Sequence, residues 1–387
     1  MQASQRFSYA LLLVSLAATV ALAGCRSESS SPSVSPAVIT RDAFVGPYQT
    51  IVALELSGRM VSIPLLFTSD GVGAIEASLP VELGGMSPSP TPTPSGPTLQ
   101  LVYEDRADGT MTLFGEIDGV ARHPFARGAI SQDGRIVAWS HVLTTDFFPP
   151  GMWIGMDTGT NTAEATLQGD YHFVAMSVDT SVPLDRGQVG RWVFDGIGGY
   201  TIEDVVTNDA GVVGPPISSP WLYTYGIPDE GLVTLAGENR IWLGSVLGDG
   251  GLGAFSDITT APSTSLLLTL AFCLPVAPSA TTSTVNGSYH FVGLSYNGAT
   301  FRSHVGQLEA DGLGNLTGTV IENDDGYTSP PAAVTATYTV GADGVFTLSP
   351  NPGDSFQGGV SATGDLVIMG GGTSAFVDRG IWLMFRR

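Results

Sequence analysis

Two cysteines, five histidines and three Asp-Gly-x-Gly tetrapeptides are the residues whose types and spacing could do chemistry in this 387-residue chain. The tetrapeptides run Asp70 to Gly73, Asp195 to Gly198 and Asp311 to Gly314, and a carboxylate beside backbone carbonyls is the start of a calcium donor set. An EF-hand loop would go on to supply oxygens at alternate positions and end in a bidentate Glu, and none follows. Tight turns are therefore expected, with Gly taking positive φ and Asp capping its own turn. Gly248-Asp249-Gly250-Gly251-Leu252-Gly253 matches G-x-G-x-x-G by letter. A dinucleotide site also needs a helix N-terminus to meet the pyrophosphate, whereas Ala254 to Pro262 is turn-rich and holds the β-branched Thr259 and Thr260. A hairpin is the expected structure there.

His172 and His290 each sit in a Tyr-His-Phe-Val tetrapeptide, while the matching segment at Tyr48 has Gln49. His123, His141 and His304 share no equivalent positions, so strand histidines satisfied by neighbours are expected, not a metal set. Cys273 closes the apolar run Leu266 to Phe272 with no histidine beside it, which suits a buried thiol. No H-E-x-x-H, G-x-S-x-G or Cys-x-x-Cys motif occurs. All 15 basic residues are arginine, so a lysine Schiff base, a P-loop contact and a Ser-Lys dyad are excluded. The tryptophans Trp153, Trp192, Trp221, Trp242 and Trp382 could stack on sugars if exposed, but on closing strands they are expected in the core. No catalytic residue, cofactor-binding residue or metal ligand is assigned, and no cofactor is expected.

Cys25 carries a different kind of chemistry. Arg6 precedes an apolar stretch, Ala10 to Ala23, interrupted only by Ser15 and Thr19. That length suits a signal peptide and falls short of the roughly 20 apolar residues that span a membrane. The run Leu22-Ala23-Gly24-Cys25 resembles the lipobox of bacterial lipoproteins. The resemblance implies cleavage before Cys25 and acylation of its thiol, giving a signal peptide over 1–24 and a lipidated Cys with a Ser/Pro tether over 25–43. Two or three acyl chains anchor a protein stably where one does not. Arg26 follows the cysteine, and the resemblance implies a protein of the cell envelope, sorted to the outer membrane. An ordinary secretory signal with an incidental cysteine is the competing reading.

Removing residues 1–24 takes one basic residue, Arg6, and none of the 36 acidic ones, so the formal charge of −21 becomes −22. Phosphate backbones are held by basic patches, so nucleic acid is excluded as a partner. Lipidation would consume one of the two cysteines, which rules out a disulfide scaffold. Many Gly and Pro residues with few charges suit an exported β-protein rich in turns.

The body repeats itself three times. Gly-x-Tyr opens each unit at Gly46, Gly169 and Gly287, and the Asp-Gly-x-Gly turn follows each tyrosine at a near-constant distance. Later turns keep their order, except that the first repeat carries a Pro-rich insert, Ser87 to Pro97. The units are expected over 44–160, 165–278 and 284–387, domain-sized rather than solenoid-sized. Alternation of period two, as in Ala336, Tyr338, Val340, predicts strands. In the third unit it predicts eight: 289–296, 304–310, 316–322, 335–340, 345–348, 356–361, 366–369 and 380–385.

The predicted fold class is all-β, with three tandem antiparallel meander repeats of about eight strands each. Small closed barrels are one architecture and a six-bladed propeller is the other. Gly-x-Tyr on the first strand and Arg386 on the last resemble the lipocalin and avidin group (calycins), where Gly-x-Trp packs under a late arginine; here the aromatic is Tyr, and neither Met152 to Met156 nor Leu266 to Phe272 holds an arginine. In the first strand of repeat two, Tyr171, Phe173 and Ala175 alternate with His172, Val174 and Met176, so both faces are apolar. Either the units pack side by side there, or the sheets are covered as in a propeller.

The expected function is that of a lipid-anchored envelope protein with three β-domains acting as binding or spacer modules, without catalysis. Its partners would be the membrane, through the N-terminal lipid, and an envelope partner or small ligand. Two alternatives remain open: a carrier of a small apolar ligand inside a barrel, and an envelope hydrolase in one divergent repeat. The carrier needs a cavity larger than a side-chain-packed interior. The hydrolase needs an acid, a base and a nucleophile meeting in that repeat alone.

Overall fold

The computed structural model describes residues 44–56, 59–78, 99–117, 120–142, 150–157, 163–179, 184–209, 212–229, 232–237, 240–257, 268–324, 327–350, 355–371 and 379–387. These residues form three closed, eight-stranded antiparallel barrels in tandem, joined through two single 3₁₀ turns.

Barrel one comprises β1 (Val45–Leu56), β2 (Arg59–Asp70), β3 (Ala74–Ser78), β4 (Leu99–Asp105), β5 (Met111–Ile117), β6 (Val120–Ile130), β7 (Ile136–Ser140) and β8 (Gly151–Met156). Barrel two comprises β9 (Gln168–Asp179), β10 (Leu184–Asp195), β11 (Gly199–Asp209), β13 (Ile217–Asp229), β14 (Leu232–Gly237), β15 (Arg240–Val246), β16 (Gly253–Asp257) and β17 (Leu268–Pro275), with the two-residue β12 (Val212–Val213) appended to β11. Barrel three comprises β18 (Asn286–Tyr296), β19 (Phe301–Asp311), β20 (Asn315–Asp324), β22 (Ala332–Val340), β23 (Val345–Ser349), β24 (Phe356–Val360), β25 (Leu366–Gly370) and β26 (Arg379–Arg386), with β21 (Tyr327–Thr328) appended to β20. First and last strands pair in each unit, at Val52↔Trp153, Val174↔Phe272 and Val292↔Leu383. Closure of every unit on itself removes its edges and excludes propeller blades.

Alternation along the strands sends one set of side chains into each lumen. Tyr48, Phe67, Trp139 and Trp153 fill the first barrel, Tyr171, Phe173, Trp192 and Phe255 the second, and Tyr289, Tyr338, Phe346 and Trp382 the third. The opposite faces of the closing strands are also apolar, and they meet in one shared core. Ile51 and Ile154, Val174 and Phe272, and Val292 and Leu383 all belong to it. Full burial of such a side chain is worth about 1.5–3 kcal/mol, so stripes like these demand a cover. The two-faced pattern of β9 is thus explained by barrels packed side by side.

The packing is cyclic. Strands β1 and β2 lie against β9 and β15–β17 of the second barrel, β9 and β10 against β24–β26 of the third, and β18 and β19 against β6–β8 of the first. Each barrel therefore offers its first two strands to the sixth to eighth of the next, and the third closes on the first. A head-to-tail interface that closes makes a ring, here within one chain. Glycines allow the close approach: a Cβ at Gly187 would sit 2.1 Å from the Gly371 carbonyl oxygen, and one at Gly359 would sit 2.7 Å from His172 Cβ.

Candidate functional sites: turn-bearing face, polar mouths and buried histidines

The Asp-Gly-x-Gly segments are hairpin tips between the second and third strands of each barrel. One carboxylate oxygen of Asp70 accepts from the N–H groups of Val72, Gly73 and Ala74 at 2.8, 3.0 and 2.9 Å. Asp195 accepts from Ile197 and Gly199, both at 2.8 Å, and Asp311 from Leu313 and Asn315 at 2.7 and 2.9 Å. Both glycines of every tip have positive φ, from +69° at Gly312 to +126° at Gly73. Backbone donors hold the carboxyls of Asp70 and Asp195 below the usual range, and the Asn315 side chain leads the same effect on Asp311. The aspartates thus serve as turn caps. The third residue of each tip is a branched aliphatic pointing into solvent, with Val72, Ile197 and Leu313 exposed by 71, 81 and 85%.

All three tips lie at one end of the body. Each first strand starts beside its tip, in the pairs Val45↔Asp70, Gln168↔Asp195 and Asn286↔Asp311. Bonds between barrels join turns and strand segments of this same end. Arg135 pairs with Asp249 at 2.6 Å, His172 Nε2 meets the Asp343 carbonyl at 3.1 Å, and Gln307 donates to the Asp108 carbonyl at 2.8 Å. The Gly248–Gly253 segment is part of this set: it is the β15–β16 hairpin, closed by Leu247 N–H to Leu252 O at 2.9 Å.

Gly-x-Tyr works at the same end. Tyr48 and Tyr289 donate to the carbonyls of Gly134 and Gly364 at 2.6 and 2.7 Å, tying the first strand to the turn between the sixth and seventh. In the third barrel Arg386 lies 5.8 Å from the Tyr289 ring centroid and pairs with Asp365 at 2.8 Å. This contact joins the closing strand of the third unit to its first strand.

At the opposite end the lumens of the second and third barrels carry equivalent arginine–aspartate pairs, Arg186–Asp209 and Arg302–Asp324. The third mouth holds more. Ser295 Oγ is 2.9 Å from His304 Nε2, and His304 Nδ1 is 3.5 Å from Glu322 Oε2. The register that pairs Gly293 with His304 and His304 with Glu322 creates this series, and the second barrel has Gln188 and Thr207 at the matching places. A nucleophile, a base and an acid therefore do converge in one repeat. Ser295, however, is 1% exposed, and burial pushes His304 down to about 4. The serine is buried in the barrel wall, so the series presents no exposed nucleophile of the kind that acyl transfer to a substrate requires.

The remaining histidines are structural in different ways. His141 accepts from Trp153 Nε1 at 2.7 Å, and its carbonyl accepts from Ser303 and Asn323 of the third barrel, both at 2.7 Å. His290 is buried, and among the described residues neither ring nitrogen has a hydrogen-bond partner. Its counterpart His172 uses the Asp343 carbonyl, whereas the matching carbonyl, that of Asp108, is occupied by Gln307. Burial, reinforced by Arg387, pushes His290 down to about 4. The His123 side chain lies outside the described residues.

Cys273 is a free thiol buried among the second barrel's aromatics, and burial raises its pKa. Trp153, Trp192 and Trp382 are buried and Trp242 is half-buried, while the Trp221 side chain lies outside the described residues. Lumenal rings touch one another, as in Phe67–Trp153 at 5.5 Å, Trp192–Phe255 at 5.4 Å and Phe356–Trp382 at 4.6 Å. A lumenal carrier needs space where these rings pack. Cys25, with the signal and tether, lies outside the described residues, as does the Pro-rich insert.

No protein-family model matches the chain, and no curated protein matches it. Among solved structures, the chain is similar to a mutant of the vaccine antigen Transferrin Binding Protein B from Haemophilus parasuis, at 9% identity and a TM-score of 0.31, over 88% of this chain and 76% of that one. It is also similar to a protein with unknown function of the DUF3598 family from Nostoc punctiforme, at 12% identity and a TM-score of 0.19, over 59% of this chain and 100% of that one.

Proposed function

We propose that the chain is a lipid-anchored protein of the cell envelope, held by acylated Cys25 and the tether over 25–43, whose three barrels act as one binding body without catalysis of its own. The observation that supports this most is the cyclic body: aromatic rings cluster inside each barrel and the outer faces share one apolar core, which makes the turn-bearing face and the polar mouths its working surfaces. The tether, at ~3.1 Å per residue where polyproline-like, gives the body several nanometres of reach from the lipid. The outer membrane is the proposed site, and the partner is an envelope component or small ligand met at the barrel ends.

Metabolic labelling with a fatty acid tests the anchor. The parent chain should incorporate label, and Cys25→Ala should not. A Cys25→Ala protein that remains labelled would refute acylation at that thiol.

A further inference from the structure

We propose that the turn-bearing end is a membrane-docking face, on which Val72, Ile197 and Leu313 insert into a zwitterionic lipid surface as three equivalent aliphatic tips. The orientation rests on the lipid-anchor reading above, while the insertion itself does not.

Three observations carry it. First, the tip residue is a branched aliphatic in all three repeats, although its side chain points away from the barrel and the turn needs only the flanking Asp and Gly residues. Single exposed apolar residues are ordinary, but the same exposed position filled three times by Val, Ile and Leu is not a packing requirement. Second, cyclic packing puts the three tips at one end of the body, so a single plane can engage all of them. Third, the chain enters the first barrel at this end: Ser69 Oγ donates to the Phe44 carbonyl at 2.8 Å, and exposed Val45 packs beside Gly71. The first described residue, Phe44, therefore lies at the face that bears the tips.

Charge selects the lipid. The body is strongly acidic, so anionic headgroups repel it. The tip aspartates cap their own turns, and the exposed apolar group of each tip is its branched aliphatic side chain. A tether that holds the body near the surface supplies a high effective concentration, so weak insertion suffices to orient it.

The test uses residues 26–387, which contain every described strand and lack the Cys25 thiol, with phosphatidylcholine vesicles at millimolar lipid. The parent should co-sediment, each of Val72→Ser, Ile197→Ser and Leu313→Ser should lower its partition coefficient about tenfold, and the triple variant should lose binding. Thermal midpoints should stay unchanged, because the replaced side chains are solvent-exposed. Tyr327→Ser, at the opposite end and 72% exposed, should bind as the parent does. A parent that fails to bind, or a triple variant that binds as tightly as the parent, overturns the proposal. Because this chain has no Cys25, neither result bears on acylation, which the labelling experiment decides separately.

Discussion

Replacing His290 with glutamine should remove part of the protein's sensitivity to acid while leaving neutral stability nearly unchanged. The imidazole is buried at the junction of the third and first barrels with no acceptor or donor among the described residues, and burial holds its pKa at about 4 against an ordinary 6.5. Between those values the unfolded chain binds a proton that the folded chain refuses, so stability falls as pH drops from 6.5 towards 4. The full difference corresponds to about 3 kcal/mol, of which about 2–3 kcal/mol is already lost at pH 4.5. Glutamine does not titrate, and the first barrel carries Gln49, also buried, at the equivalent place. Urea unfolding followed by tryptophan fluorescence, at pH 7.5 and 4.5, reads the effect. His290→Gln should match the parent within about 1 kcal/mol at pH 7.5 and exceed it by about 2–3 kcal/mol at pH 4.5. His172 and His304 are also shifted downward and steepen the acid limb of both proteins alike, so the difference isolates His290. Equal losses in parent and variant would show that the buried imidazole is not what titrates.

Two further outcomes probe the junctions and the core. Gly187→Ala places a Cβ 2.1 Å from the Gly371 carbonyl oxygen, so it should cost about 1–3 kcal/mol in urea unfolding, and a neutral effect would mean that the second and third barrels are not in that contact. Cys273 should resist a water-soluble thiol reagent in the native protein and react fully once unfolded, and rapid native labelling would contradict its place in the barrel interior.

Much of the fold could be read from period-two alternation and turn residues. In the third unit the eight expected segments coincide with β18, β19, β20 and β22–β26 to within a few residues, because Asp-Gly pairs mark the hairpins and Tyr338, Phe346 and Trp382 mark the inner face. The two-residue strands β12 and β21 were out of reach, since strands so short carry no periodicity. Side-by-side packing could be inferred only as one of two options, from Val174 and Met176 on the outer face of β9. The meeting of Ser295, His304 and Glu322 was not legible at all. Its members are scattered along the chain and meet only through the registers of β18, β19 and β20, which alternation alone does not set. The aliphatic tips were visible as residues inside the Asp-Gly-x-Gly motifs, but their common face depends on the cyclic packing.

Triplication has a physical consequence beyond added length. An isolated second barrel would expose Val174, Met176 and Val178 on β9 beside Leu270, Phe272 and Leu274 on β17, an apolar wall facing water. The other two barrels present the same problem through Ile51, Met152 and Ile154 and through Val292, Ile381 and Leu383. Each wall is covered only when all three barrels are present, because two would leave one head-to-tail interface open at each end. The repeats are therefore bound together by their outer faces and kept separate by their lumens. Residues on the first two and last three strands of each unit answer to two cores at once. Freedom to diverge is left to the mouths, and the difference already present there, His304 against Gln188, falls where the ring permits it.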